Sequence, residues 1–497
     1  MGDRLVCGID VGSSAVKATL LHPERGVVAT GDAPAPLRSE RPGWSEVAVE
    51  DWWAAACAAV PLALADAGAV AADVVAVATT GMVPAVVLLD ETGEPLRAGI
   101  LQNDARAVGE ISEMEAALAD VDLLGRTGSA LTQQSVGPTL LWIRRNEPDV
   151  WARTATVGGS YDWLLRQLGA IPHVEGNWAI ESGLYDLSGR PCPEVLAVAG
   201  VESSRLPAVV RPATPMGEID PAAAAAIGLA PGTLLVVGGA DHVLSAASAG
   251  VAEPGQALVK LGSSGDLLTV SSEPVTDRRL YLDQHPIQGR WIPNGCMATS
   301  GSLLRWFQQR IAAGEDFAAL DAEAAQVPAG AEGVVCLPYF LGEKSPVHDP
   351  EARGAFIGLH LGHTRAHLFR ACLESTGHGL RHHLDVLEEI GIEVREARVT
   401  NGGANSRLWK QAVADALGIP LVPIIDHPGS SFGAAVAAAI GAGLIDGWEA
   451  VDRFVDLGDP VEPDPTAAPA LAESYGVYRD LEAALRPLSH RLARAAR

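Results

Sequence analysis

The stretch Leu5-Val6-Cys7-Gly8-Ile9-Asp10-Val11-Gly12-Ser13-Ser14-Ala15-Val16-Lys17-Ala18-Thr19-Leu20-Leu21 frames the reading of the whole chain. Leu5–Val11 is an apolar, β-branched run that reads as a strand ending at Asp10. Gly12-Ser13-Ser14 reads as a turn, and Ala15–Leu21 as the returning strand. Past the middle the pattern restarts: Ala257–Leu261 runs into Gly262-Ser263-Ser264-Gly265-Asp266 and another apolar strand. Two hairpins built on the same Gly-Ser-Ser turn are a short internal similarity, suggestive of a duplicated domain.

Strands and helices alternate outward from these hairpins, an α/β pattern. Asp51 precedes Trp52-Trp53 and an alanine-rich run to Ala67, which reads as a capped helix; Val74–Thr79 and Val86–Leu89 read as strands. Residues 107–230 read as mainly helical with Pro-rich connections. Thr233–Val237 is an apolar strand entering Gly238-Gly239-Ala240-Asp241. Ala366–Ile390 carries Leu373, Gly377, Leu380, Leu384 and Leu387 on one helical face. Arg398–Thr400 leads into the glycine turn Asn401-Gly402-Gly403-Ala404-Asn405-Ser406. Phe432–Ile445 is Ala/Gly-rich and reads as a tightly packed helix, and a last helix spans roughly Ala470–Ala496 with a kink expected at Pro487.

The 497 residues exceed what one core usually serves, so two domains are expected. With 36 basic against 61 acidic residues the formal net charge is −25, which disfavours nucleic acid and anionic membrane surfaces as partners. Six scattered cysteines without a Cys-x-x-Cys pair point to reduced thiols, hence to the cytoplasm. The apolar run before Asp10 is too short for a signal peptide, and no segment reads as membrane-spanning.

No Gly-Lys dipeptide occurs, so a Walker A loop is excluded and a nucleotide must be held another way. Gly-Ser-Ser turns present backbone N–H groups and small hydroxyls that suit an oligophosphate, with ordinary hairpin turns as the plain alternative. Asp10 beside the first turn could hold a hydrated Mg²⁺, and Lys17 could add a positive charge. Asp241, after an apolar strand and two glycines, suits a general base for a hydroxyl; a helix N-cap fits the same position, and the two roles are compatible. Gly402-Gly403-Ala404 leaves room for an adenine or ribose against the backbone. Asn103, Asp104 and Arg106 place polar groups at a strand end for a small ligand. The groupings His360/His363/His367 and Glu374/His378/His382 match no zinc signature and are set aside.

On these residues the chain resembles the FGGY family of carbohydrate kinases, and within it the xylulokinase-like branch, end to end. Asp10-Val11-Gly12-Ser13-Ser14-Ala15-Val16-Lys17 is similar to the family's Asp-x-Gly-Thr-Ser/Thr-x-x-Lys. Gly238-Gly239-Ala240-Asp241 is similar to its Gly-Gly-Gly-Asp, and Leu261-Gly262-Ser263-Ser264-Gly265 to its Leu-Gly-Thr-Ser-Gly. Pro42-Gly43-Trp44-Ser45-Glu46, Trp52-Trp53, Leu337–Pro346, and Gly402-Gly403-Ala404 with Ser406 and Trp409 follow in family order. The resemblance implies two actin/Hsp70-like (ribonuclease H-like) ATPase domains around a cleft, divided here at 1–236 and 237–497, with the last helix packing back on the N-terminal domain. It implies Asp241 as base and Met82, Asn103, Asp104 and Arg106 as sugar contacts. ATP would lie on Gly12, Ser13, Ser14, Lys17, Gly262, Ser263, Ser264, Gly402, Gly403, Ala404 and Ser406, with Mg²⁺ at Asp10. A homodimer is expected by analogy.

The departures fall in the sugar half. Xylulokinases usually show Met-His-Gly where this chain has Met82-Val83-Pro84, and an aromatic where it has Gln102; the Arg-Glu pair of glycerol kinases is also missing. The expected activity is therefore ATP-dependent phosphorylation of a small sugar. D-xylulose is the lead, with erythritol, a pentitol, another ketose or a signalling sugar derivative as alternatives, and a non-catalytic ATP-binding protein of the same superfold as the rival from another class.

Overall fold

A computed structural model describes residues 4–41 and 43–495. Pro42 of the Pro42–Glu46 run and Ala496 of the expected last helix lie outside the described residues. Each Gly-Ser-Ser hairpin sits inside a six-stranded sheet. In the first, β1 (Leu5–Val11), β2 (Ala15–His22), β3 (Gly26–Pro34), β4 (Val74–Gly81), β5 (Pro215–Glu218) and β6 (Leu234–Ala240) lie in the order β5-β6-β4-β1-β2-β3. In the second, β7 (Gln256–Leu261), β8 (Gly265–Thr269), β9 (Tyr281–Gln284), β10 (Trp291–Met297), β11 (Glu396–Thr400) and β12 (Leu421–Pro423) lie in the order β9-β10-β8-β7-β11-β12.

From the hairpin outward the two sheets are built alike. On one side of β1 lie β2 and then β3, each antiparallel to its neighbour, and on the other lie β4 and β6, parallel to it. On one side of β7 lie β8 and then β10, each antiparallel to its neighbour, and on the other lie β11 and β12, parallel to it. The Gly-Ser-Ser similarity is thus the part of a duplicated unit that survives in sequence.

β1 is buried on both faces, which its unbroken apolar run requires. The helix Val49–Ala67 lies against β2 and β3, and the helix Ser430–Gly441 against β1, β4 and β6. Gly8 makes the second contact possible: a Cβ there would lie 2.0 Å from the Ser431 carbonyl oxygen and 2.3 Å from the Ala435 nitrogen. Ala434, Ala435 and Ala438 on the facing helix are fully buried, so small residues on both sides let helix and sheet close up.

Several local expectations change. Asp51 does not cap the helix Val49–Ala67; it lies in the first turn, where its charge complements the helix dipole, and pairs with Arg38 at 2.8 Å. The last helix, Ala468–Ala495, runs through Pro487 and packs on Val335–Leu337 and the helix Arg407–Leu417, with Tyr478 hydrogen-bonded to Tyr339 at 3.1 Å. These are neighbours of the second sheet. The C-terminal segment that returns to the first sheet is Ser430–Gly441, because its small residues permit the close approach that a Tyr- and Leu-bearing helix would not. All six cysteines are free, and no helix among the described residues is long and apolar enough to cross a membrane.

Candidate active site

β1 and β6 run parallel on either side of β4, and they deliver Asp10 and Asp241 to the same edge of the first sheet: Asp10 pairs in register with Thr80, and Ala240 with Gly81. Asp241 is the first residue of the helix Asp241–Ser248, whose N-cap is Ala240, so it does not cap that helix. Its Oδ1 accepts from the His242 backbone N–H at 2.6 Å and lies 3.3 Å from His242 Nδ1. Burial pushes its pKa upward, but the His242 hydrogen bond and the nearby Lys260 ammonium hold it below the usual carboxylate range. The carboxylate is therefore ionised at neutral pH. Gly238 serves packing: a Cβ on it would lie 1.8 Å from the Thr79 carbonyl oxygen of β4.

Asp10 sits in the opposite electrostatic situation. Burial, then the Asp241 charge, raise its pKa to about 6 against the Ser430 hydrogen bond and the charges of Lys260 and Lys17. Ser430 Oγ donates to Oδ2 at 2.6 Å, while Oδ1 is buried with no hydrogen-bond partner among the described residues. A buried, half-satisfied carboxylate oxygen beside a second carboxylate fits a hard cation such as Mg²⁺.

The two turns frame the cleft. In the first, Gly12 N–H donates to Ala15 O at 3.0 Å, the buried Trp52 donates Nε1–H to Gly12 O at 3.2 Å, and Ala35 N–H donates to Ser14 O at 3.0 Å. In the second, Gly301 N–H donates to Gly262 O at 2.8 Å, and Ser300 N–H to Ser263 O at 2.9 Å. Carbonyls are thus tied to the protein on both sides, while the N–H groups of Ser13, Ser14, Ser263 and Ser264 have no acceptor among the described residues. That is the polarity an oligophosphate needs. Gly402–Asn405 forms a short turn beneath the second one: the Asn401 amide lies against Gly262, and Trp409 fills the space a Cβ on Gly403 would take. Gly402 faces open space. Ser406 is committed elsewhere; it caps the helix Arg407–Leu417 and donates to Asp321 at 2.6 Å.

Two residues that motif reading passes over complete the second hairpin. Lys260 and Asp266 face each other across β7 and β8, with Lys260 Nζ 3.8 Å from Asp266 Oδ2. Lys260 stands two residues before Gly262, as Asp10 stands two before Gly12. Burial lowers its pKa, but Asp266, Asp241, Cys296 and Asp10 together raise it, so it remains an ammonium. It is a cation directed at the same cleft as the two aspartates.

Asp241, His242, Lys260, Lys344, Gln102 and Val83 line a cavity of ≈ 130 Å³, which shares the lining residues Gln102, Gln134, Tyr281 and Lys344 with a groove of ≈ 760 Å³ that Asn103 also lines. Gln134 Nε2 donates to Gln102 Oε1 at 2.7 Å. Met82 is buried in the core and it is its neighbour Val83 that reaches the cavity. Asp104 and Arg106 are placed away from it. Asp104 accepts from Ser45 N–H and from the Arg106 guanidinium, which also pairs with Glu46 at 2.6 Å and lies 3.9 Å from the Trp44 ring centroid. This neutralised cluster braces the loop that presents Gln102 and Asn103, and explains the Trp44-Ser45-Glu46 run as its binding partner.

A duplicated α/β unit with paired phosphate-type turns across a cleft is the architecture of actin/Hsp70-like ATPase domains, and the family models agree. The FGGY family of carbohydrate kinases, N-terminal domain, matches residues 5–248, and the C-terminal domain of the same family matches 257–442. The chain belongs to the FGGY family of carbohydrate kinases and is a xylulokinase-like carbohydrate kinase. It is 32% identical to the xylulose kinase of Escherichia coli strain K12, over 83% of this chain and 84% of that one. It is 31% identical to the autoinducer-2 kinase of Yersinia enterocolitica, over 91% and 88%. The crystal structure of xylulose kinase from Rhodospirillum rubrum matches with a TM-score of 0.89 and 42% identity, over 98% of this chain and all of that one (100%).

Proposed function

We propose that this kinase transfers the γ-phosphoryl group of ATP to a hydroxyl of D-xylulose, with Asp241 as general base. The observation that carries the reading is the placement of Asp241: its carboxyl lines the cavity with Oδ1 engaged by His242 and, among the described residues, no protein hydrogen bond to Oδ2, while the His242 hydrogen bond and Lys260 hold its pKa below the usual carboxylate range. The substrate hydroxyl gives its proton to Oδ2 as its oxygen attacks the γ-phosphorus; the bond to the bridging oxygen breaks and ADP leaves. The free N–H groups of both turns receive the phosphate oxygens, and Lys260 neutralises charge on the transferring group. Asp10 would hold Mg²⁺, which supplies charge neutralisation to the oligophosphate when bound.

D-xylulose is supported by the xylulose kinases among the relatives. A different sugar is favoured by one feature: Val83 lines the cavity where a histidine is usual, so that position offers the sugar no hydrogen bond from its side chain. The test is ADP release from Mg-ATP against a panel of ketoses, aldoses, pentitols and erythritol. Stimulation by D-xylulose that disappears in Asp241→Ala is expected. Stimulation only by another compound refutes the D-xylulose assignment and keeps the base.

A further inference from the structure

His242 is bound on both ring nitrogens by carboxylates. Nδ1 lies 3.3 Å from Asp241 Oδ1, and Nε2 lies 2.8 Å from Asp283 Oδ2 and 3.5 Å from Glu181 Oε1. A neutral imidazole would aim a lone pair at one of these oxygens, so the arrangement favours an imidazolium with both N–H groups donating. Its surroundings favour the same state: burial lowers the His242 pKa, and Asp283, Asp241 and Glu181 together raise it well above the ordinary value.

The three carboxylates come from different parts of the molecule. Glu181 ends the helix Gly176–Glu181 beside the first sheet, and Asp283 lies on β9 of the second sheet, fully buried and fixed by Asn294 Nδ2–H at 2.8 Å. Asn177 and Gln284 bind each other across the same junction, Gln284 N–H to Asn177 Oδ1 at 2.6 Å and Asn177 Nδ2–H to Gln284 O at 3.1 Å. The ring is therefore clamped where the two lobes meet.

We infer that His242 is a positioning residue for Asp241: anchored between the lobes by Asp283 and Glu181, its imidazolium holds one oxygen of Asp241 and so turns the other toward the substrate hydroxyl. The inference rests on Asp241 being the base. The titratable groups facing Asp241 are His242, Lys260, Asp10 and Glu181; those facing His242 are Asp241, Asp283 and Glu181, whose own carboxyl is pushed well above the ordinary range by burial and by the Asp283 charge.

The experiment is steady-state kinetics of full-length His242→Asn and Asp283→Asn across pH 5 to 9, with the sugar that stimulates the wild type and with thermal melting as a check on folding. His242→Asn is expected to lower kcat roughly 100-fold, with KM for Mg-ATP changed less than about twofold, and to move the acidic limb of kcat to higher pH because Asp241 loses its neighbouring cation. Asp283→Asn is expected to move both in the same direction, by about tenfold in kcat. If His242→Asn fails to fold, Asp283→Asn decides. Variants that melt like the wild type, keep kcat within about threefold and leave the acidic limb in place overturn the inference. Asp241→Asn separates the two readings: if it is inactive while His242→Asn behaves as wild type, only the positioning role fails; if Asp241→Asn is active, the base assignment itself falls.

Discussion

The hairpins Leu5–His22 and Gln256–Thr269 are one piece of architecture used twice with opposite charge. Each opens its sheet with a buried strand, turns on Gly-Ser-Ser, and is flanked by the same arrangement of strands. Yet two residues before the turn glycine the first carries Asp10 and the second Lys260, and the cross-strand partners invert as well, Lys17 against Asp266. Two residues earlier still, Gly8 yields to the helix Ser430–Gly441 while Leu258 fills its place in the second hairpin with a buried side chain. The duplicated backbone supplies two sets of N–H groups; the side chains beside them divide the work between a carboxylate fit for a cation and a lysine fit for a phosphoryl group.

This division breaks most sharply at Asp10. Asp10→Asn is expected to lower kcat about 1,000-fold with the KM for sugar little changed, and a variant within tenfold of wild type in Mg-ATP kinetics would contradict its role. Packing comes next. Gly8→Ala drives a methyl into the backbone of the facing helix and is expected to cost about 3 kcal/mol or more in urea unfolding, whereas Leu258→Met at the equivalent place should cost under about 1.5 kcal/mol. Lys260→Met is expected to lower kcat about 100-fold with binding of ADP nearly intact; equal losses for ADP and ATP would make Lys260 a general phosphate contact instead.

A smaller effect distinguishes function from stability at Asp10. Its folded pKa of about 6 lies above the value of an unfolded aspartate, so its ionisation opposes folding once pH rises above the unfolded pKa, and the penalty is complete above about 6. Metal-free Asp10→Asn should therefore be more stable than the wild type in urea unfolding at pH 7.5, by at most about 3 kcal/mol, and melt higher, with the difference vanishing toward pH 4. Equal melting at both pH values would show that the cleft does not strain this carboxylate.

Much of this was legible in the sequence because it is local. A strand, a small-residue turn and a strand announce themselves in a short window, which makes the two hairpins, with Asp10 beside the first turn, and the strand leading to Asp241 legible there. Asp104 and Arg106 were not placed correctly by the same reading, since charged residues at a strand end look exposed; only the fold reveals Glu46 and the Trp44 ring closing over the guanidinium. Glu181 and Asp283 left no signal at all, being far apart in the chain and brought together around His242 only by the fold. Lys260 could have been found, by laying the second hairpin on the first and asking what stands opposite Asp10.

The most direct test of the account is ADP release by wild-type enzyme and Asp241→Ala with Mg-ATP and D-xylulose. The account predicts sugar-dependent turnover in the wild type and at least a roughly 1,000-fold lower kcat in the variant, with ADP binding retained. Sugar-dependent turnover that survives in Asp241→Ala would contradict it.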